Sequence, residues 1–321
     1  MTNTELTPQV LDLGHGIRCI DTLQVRPELA ACYLIERNGE LAFVEAGTAP
    51  GVPRLLALLE QWGYSREQVR YVIPTHVHLD HAGGVGLLMK ELPQAQLIVH
   101  PRGARHMIDP SKLIAGATAV YGPRAMKDMY GEILPVEESR VIVAEDGARH
   151  PLGQGSLEFV DSPGHAYHHF CIWDETSRGF FTGDVFGLSY RDFDTAAGPF
   201  LFPTTTPVQF DPQAWYGTLD RLLAYQPEQM FLTHYSRVGN VSKLAEDLRA
   251  GISRYVRLAE ELREHPRRHQ ALRNALSEEA LHSLRELGSE MPEDEARKLL
   301  FFDMELNAQG LGVWLDRQAG A

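Results

Sequence analysis

The chain has 321 residues, 44% of them hydrophobic, enough for one large core or a core with an extension. Its 43 acidic residues against 30 basic ones give a formal charge of −13, which disfavours non-specific nucleic-acid contact, because that needs clustered Lys and Arg to displace counterions. No apolar run approaches the ~20 residues that span a bilayer, and the opening MTNTELTPQV lacks the basic and apolar regions of a secretory leader, so a cytoplasmic protein without membrane contact is expected.

The first elements read as strands. GIRCIDTL, ACYLIERNGE and ELAFVEAG carry β-type apolar content and are broken at Asn38, Gly39 and Gly47. PRLLALLEQWG predicts an amphipathic helix over 53–63. An apolar run, Tyr71 to Ile73, then leads into THVHLDHAGG, which packs His76, His78, Asp80 and His81 into six positions. Imidazole and carboxylate are the ligands that zinc, iron and manganese accept in hydrolytic sites, and ligands on one short segment share one loop-closure cost. HAGGVGLLMKEL predicts a helix starting near His81, whose N-terminal dipole, with Gly83 and Gly84, is placed to receive an anionic substrate group.

QLIVH is a strand, residues 102–130 are expected to be helical, and RVIVAEDG, SLEFVDSPGH, FCIWDE and RGFFTGDV continue as strands of a second sheet. SLEFVDSPGH ends on His165, RGFFTGD on Asp184 and, farther on, EQMFLTH on His234. Ligand segments at the C-terminal ends of four apolar runs gather along one sheet edge in a layered α/β fold. A strand beginning near His168 would turn His168 and His169 to opposite faces, so only one of them should look toward that edge. His15, His100, His106, His150, His265, His269 and His282 lack a partner at ligand spacing and are treated as ordinary. Cys19, Cys32 and Cys171 are widely separated, so buried reduced thiols are expected rather than a disulfide or a zinc ribbon.

From Gly187 to Pro212 the chain is dense in Phe, Pro and Thr without a steady period. Its place after Asp184 predicts a substrate wall containing Phe200 and Phe202, with Tyr190 placed to donate its phenol to an oxyanion; packing is the competing role for all three. Asp211 and Pro212 open a helix through about Tyr225 as N-cap and N1 residues. After His234 the pattern is helical: VSKLAEDLRAGISRYVRLAEELREH, QALRNALSEEALHSLREL and PEDEARKLLFFDMELNAQG, separated at Pro266 and near Gly288 and Pro292. A boundary near Tyr235 gives a catalytic domain over 1–235 and a helical extension over 236–321, which lies against the core or makes a homodimer. Phe301 and Phe302 are expected in the core.

The set His76, His78, Asp80, His81, His165, Asp184 and His234 resembles the complete ligand pattern of the metallo-β-lactamase-fold hydrolase superfamily. The resemblance implies an αββα sandwich, two mixed sheets face to face with helices outside, followed here by the helical extension. It also implies a dinuclear centre in which His76, His78 and His165 hold the first metal, Asp80, His81 and His234 the second, and Asp184 bridges. The two divalent ions are zinc foremost, with iron or manganese suited to the same ligands. Two such ions about 3.5 Å apart share a water, lower its pKa and polarise a carbonyl or phosphoryl oxygen. Asp80 is the catalytic residue, handling the proton of the attacking hydroxide while it binds the second metal.

Thr182, Gly183 and Asp184 resemble the TGD of the glyoxalase-II-like, lactonase-like and phosphodiesterase branches, and the helical extension resembles that of glyoxalase II, although no basic anchor for glutathione is identified. The expected function is hydrolysis of a small-molecule ester, thioester or lactone. Phosphodiester hydrolysis on the same metal pair, and a low-turnover sensing or regulatory protein that keeps the metals, are the alternatives. A flavodiiron redox enzyme fits less well, because that pattern has Glu where His78 stands. Many members of the superfamily carry Asp in a DTG turn that supports the metal loop; here Glu45, Ala46 and Gly47 stand, and the sequence leaves open whether the longer carboxylate of Glu45 orients a ligand histidine or faces elsewhere.

Overall fold

A computed structural model describes residues 8–205 and 208–320 of the chain; the opening segment to Thr7, Thr206 and Pro207 of the long loop, and Ala321 lie outside the described residues. Strands β1 (Val10–Asp12), β2 (Ile17–Asp21), β3 (Ala31–Arg37), β4 (Glu40–Val44), β5 (Val69–Ile73), β6 (Gln96–Val99) and β7 (Val141–Val143) form one sheet in sequence order. Neighbours from β1 to β4 are antiparallel and those from β4 to β7 parallel. A parallel neighbour needs a crossover. Helix α1 (Val52–Gln61) lies between β4 and β5, α2 (Leu79–Ala82) and α3 (Val85–Glu91) between β5 and β6, and α4 (Pro101–Ile108), α5 (Ser111–Tyr121) and α6 (Pro123–Tyr130) between β6 and β7. Residues 102–130 are thus largely helical, as expected.

The second sheet holds β8 (Arg149–Leu152), β9 (Gly155–Asp161), β10 (Phe170–Asp174), β11 (Gly179–Gly183), β12 (Gln229–Leu232) and β13 (Ser236–Val238), in the order β13-β12-β11-β10-β9-β8. The central strands are buried on both faces, which is why the sequence alternates weakly there. Along β3, Ala31, Tyr33 and Ile35 join Phe159, Phe170, Ile172 and Phe181 of the second sheet in the core between the sheets. The intervening Cys32 and Leu34 join Leu55, Leu59 and Leu88 of α1 and α3 on the outer face. A one-residue slip would exchange these two sets.

The chain clusters into two compact units built from discontinuous segments. The first comprises the described residues up to Asp161, with His168–Gly183 and Gln229–Arg237; it contains both sheets and α1 to α6. The second comprises Ser162–Tyr167, Asp184–Glu228 and the described chain from Val238, with helices α7 (Pro212–Ala224), α8 (Val241–Glu261), α9 (Arg268–Glu286) and α10 (Glu293–Ala319). Asp211 caps α7 as expected, accepting the backbone N–H groups of Gln213 (3.1 Å) and Ala214 (3.0 Å), with Pro212 at the first position.

On α10, Leu300 and Met304 are i,i+4 neighbours and are buried, which turns the next two positions outward. Phe301 and Phe302 are accordingly 55% and 49% exposed, and the expectation that they are core residues fails for that reason. The Arg273 guanidinium covers the Phe301 ring at 5.5 Å. Among the described residues no helix is long and apolar enough to cross a membrane.

Candidate metal centre

Strand β4 ends at Val44, and Glu45 follows with φ of 65°, a left-handed conformation that costs a non-glycine residue about 1–3 kcal/mol unless its surroundings hold it. Here they do. The fully buried carboxylate accepts the Thr75 N–H on Oε2 (3.1 Å), and its Oε1 accepts the hydroxyls of Thr75 (2.6 Å) and Thr233 (2.9 Å). Nδ1 of His81 also donates to Oε1, at 3.0 Å. One carboxylate therefore ties together the segments that follow β4, β5 and β12. An aspartate is one methylene shorter, so the departure from the DTG pattern supplies the reach to both threonines.

The same partners set the imidazole tautomers. Because Glu45 accepts from His81 Nδ1, the Nε2 lone pair of His81 points the other way, toward Asp80 Oδ2 at 3.5 Å. His234 repeats this arrangement, with Nδ1 donating to the Leu29 carbonyl (2.7 Å) and Nε2 at 3.3 Å from the same Asp80 oxygen. The Thr75 hydroxyl, donating to Glu45, accepts from His76 Nδ1 at 3.1 Å, which directs His76 Nε2 toward His78 Nδ1 at 2.9 Å. A carboxylate, a backbone carbonyl and a hydroxyl oxygen thus lock the three rings while the opposite nitrogens converge, an orientation that fits ligand histidines. Ligand-type atoms of Asp80, His81 and His234 lie within 4.8 Å of one another. His81 is fully buried, whereas the Asp80 side chain is 28% exposed and reachable from solvent.

Three neighbouring features differ from expectation. Strand β10 starts at Phe170, so His168 and His169 lie in the preceding turn and strand alternation does not apply to them. Both rings therefore approach His76, at centroid distances of 6.1 and 4.9 Å, instead of facing opposite ways. At the end of β11, Gly183 has φ of 48°, and a Cβ there would lie 2.4 Å from Thr75 Oγ1 and 2.5 Å from His169 Nε2, so only glycine lets this strand end abut the metal loop. The helix after the loop starts at Leu79 rather than near His81, because His78 is its N-cap. The Gly83 and Gly84 N–H groups donate to the carbonyls of Leu79 and Gly47, at 2.9 Å each, so they are committed within the fold and do not supply the expected anion site.

His165 and Asp184 belong to the second unit. Both are buried; Nδ1 of His165 donates to the Thr204 carbonyl at 3.0 Å, and Nε2 is 3.5 Å from Asp184 Oδ2. The pattern matches that of His81 and His234. Tyr190, Phe200 and Phe202 are also buried there: the Tyr190 hydroxyl donates to Asp303 Oδ1 (2.9 Å), and Phe202 lies near both Tyr190 (5.8 Å) and Phe200 (5.5 Å). These rings hold the loop's backbone rather than presenting exposed faces. Sequence reasoning missed Thr75 and Thr233, the partners of Glu45, and the carbonyls of Leu29 and Thr204; the carbonyls carry no side-chain signal at all. His100 caps α4 through Nδ1 and pairs through Nε2 with Asp161 Oδ1 (2.8 Å), while Cys19, Cys32 and Cys171 are buried thiols.

Topology explains why these segments are comparable. β9, β11 and β12 all run in one direction, since β9 and β11 are both antiparallel to β10 and β12 is parallel to β11. Their C-terminal ends, which lead to His165, Asp184 and His234, therefore share one edge of the sheet.

The family model for the metallo-beta-lactamase superfamily matches residues 25–234. The metallo-beta-lactamase fold-containing protein ST1585 of Sulfurisphaera tokodaii is 25% identical over 215 residues, 65% of this chain and 73% of that protein. The beta-lactamase-like protein 2 homolog of Caenorhabditis elegans is 24% identical over 152 residues, 47% of this chain but only 42% of that one. The crystal structure of the metallo-beta-lactamase family protein TTHA1429 from Thermus thermophilus superposes with a TM-score of 0.65 at 18% identity, covering 97% of this chain and 96% of that one. The fold class of the present chain is the expected one, two mixed sheets with helices and a helical C-terminal region. With a family match over more than half its length and a His/Asp cluster suited to metal, the chain belongs to the metallo-beta-lactamase superfamily.

Proposed function

We propose that this protein is a dinuclear metallohydrolase for a small ester, thioester or lactone, with residues 1–235 as catalytic domain. In this reading, which carries over the ligand pattern of the family, His76, His78 and His165 would hold one divalent ion and Asp80, His81 and His234 the other, with Asp184 as a carboxylate available to both. The supporting observation is the set of buried imidazoles whose Nδ1 atoms are tied to oxygen partners, with Nε2 of His81 and His234 converging on one Asp80 oxygen. Buried nitrogen and carboxylate donors suit zinc, iron(II) or manganese. When bound, the ions supply Lewis acidity and lower the pKa of water.

The chain's own residues do the rest. Glu45 holds the ring of His81 and the loop that carries it, so the donors are in place before any ligand arrives. Asp80, partly exposed among buried neighbours, is the group able to take a proton from an attacking water at the carboxylate oxygen that does not face the two imidazoles and pass it to solvent. The loop over 187–212 is our candidate for a substrate wall, shaped by backbone that its buried aromatics fix.

The test is elemental analysis of protein purified without a histidine tag, with turnover measured on nitrophenyl esters, thioesters, lactones and bis-nitrophenyl phosphate. Two divalent ions per chain and preferred turnover of an acyl substrate are expected. Preference for the phosphodiester would move the reaction to the other branch, and tight metal without turnover on any member of the panel would leave a sensing role.

A further inference from the structure

The ring of His165 is oriented by a backbone carbonyl, and that carbonyl is itself held by the C-terminal helix. Its Nδ1 donates to the Thr204 carbonyl at 3.0 Å. The carbonyl and the Thr205 N–H belong to one planar trans peptide, so fixing either end fixes the direction of the other. The Thr205 N–H donates to Asn307 Oδ1 on α10 at 2.6 Å. Asn307 Nδ2 donates to the Pro203 carbonyl (3.2 Å), and the Thr205 hydroxyl donates to the Asn307 carbonyl (3.0 Å). His165, Thr204, Thr205 and Asn307 are all buried, and Asn307 is only 1% exposed. The helix comes this close because the residue one turn on is Gly310: a Cβ there would lie 1.6 Å from the Thr205 carbonyl oxygen.

We propose that Asn307 is a positioning residue for His165, acting through the single Thr204–Thr205 peptide, so that helix α10 sets the tautomer of a metal-ligand histidine more than 140 positions away in sequence. A burial-driven packing role alone would ask for a leucine or alanine at this helix position; a buried amide that grips two peptide groups of one strap gives a direction, which packing does not. Hydrogen bonds at both ends of one peptide also polarise it, strengthening the acceptor that His165 uses. With Nδ1 committed as donor, the Nε2 lone pair is directed toward Asp184 Oδ2, at 3.5 Å.

The inference rests on His165 being a ligand, and two readouts separate the two claims. The first is the His165 tautomer in metal-free protein, read from side-chain ¹⁵N shifts, with the signal identified by its loss in His165→Gln. The second is metal affinity, measured by competition with a chromophoric chelator. Asn307→Leu keeps the branching at Cγ, with larger methyl groups, and removes both amide bonds; it should give a mixed tautomer and a roughly 10- to 100-fold weaker metal affinity, the usual scale for losing a partner behind a ligand. Asn307→Asp keeps an acceptor for the Thr205 N–H while setting a carboxylate oxygen against the Pro203 carbonyl, so stability should fall but the Nδ1–H tautomer should be retained. Leu300→Ala, a buried truncation on the same helix, controls for lost stability and should leave the tautomer alone. A parental tautomer and affinity in Asn307→Leu, or an equal change in Leu300→Ala, overturns the positioning role. A parent that binds no metal overturns the ligand reading instead, and the tautomer comparison still decides the role of Asn307.

Discussion

Glu45→Gln is the most informative single change at this site. The carboxylate accepts four hydrogen bonds, three on Oε1 from Thr75, Thr233 and His81 and one on Oε2 from the Thr75 N–H. A glutamine of the same shape keeps its oxygen where three donors converge, and its NH₂ group then meets the Thr75 N–H donor to donor at the 3.1 Å position. One hydrogen bond to a charged group is lost, worth about 1.5–3 kcal/mol. His81 also loses the carboxylate that raises its basicity, which predicts a metal affinity lower by roughly 10- to 100-fold. Glu45→Leu would strand all four donors at about 1–3 kcal/mol each, a sum that approaches the ~5–15 kcal/mol stability of a whole domain, so it should fail to fold and report nothing further. Urea unfolding of chelator-treated protein measures the first loss, and chelator competition the second. Parental stability together with parental affinity in Glu45→Gln would refute the view that this carboxylate organises the metal loop.

Asp184→Ala should lower metal content and remove most hydrolysis; two tightly held metals with unchanged turnover would exclude a bridging role. Asp80→Asn keeps an oxygen donor and removes the base, so kcat should fall by roughly 10²-fold or more while metal occupancy falls less than in His76→Ala, and parental kcat with full occupancy would leave Asp80 a structural ligand only. Phe202→Ala opens a cavity inside the loop's aromatic cluster and should cost about 3–5 kcal/mol in urea unfolding; an unchanged midpoint would contradict the packing described for it. Burial pushes the Cys19 thiol up to about 11 and that of Cys32 well above its ordinary value, so the thiolate form is scarce at neutral pH. An aromatic disulfide reagent should therefore label the native protein slowly and all three cysteines on unfolding, whereas fast native labelling would show that these thiols are exposed.

The candidate ligand types were legible because chemistry of this kind is local: His76, His78, Asp80 and His81 fall within six residues, and His165, Asp184 and His234 each follow an apolar run that reads as a strand without any partner. The helices were legible for the same reason, from caps such as Asp211 and from periodicity. What failed turned on boundaries and burial. A start of β10 two residues later than expected brought both His168 and His169 beside His76, and the register of α10 put Phe301 and Phe302 in solvent.

The sequence by itself determined which side chains can bind metal and the class of sheet edge from which they project. Only the tertiary structure decided how they are aimed. Thr233 lies 188 residues from the Glu45 it bonds, and His234 and His165 are oriented by the carbonyls of Leu29 and Thr204, groups that every residue carries and that no composition or spacing can single out. Ligand identity is a property of a side chain; ligand direction is a property of whatever the packed chain brings to its other nitrogen.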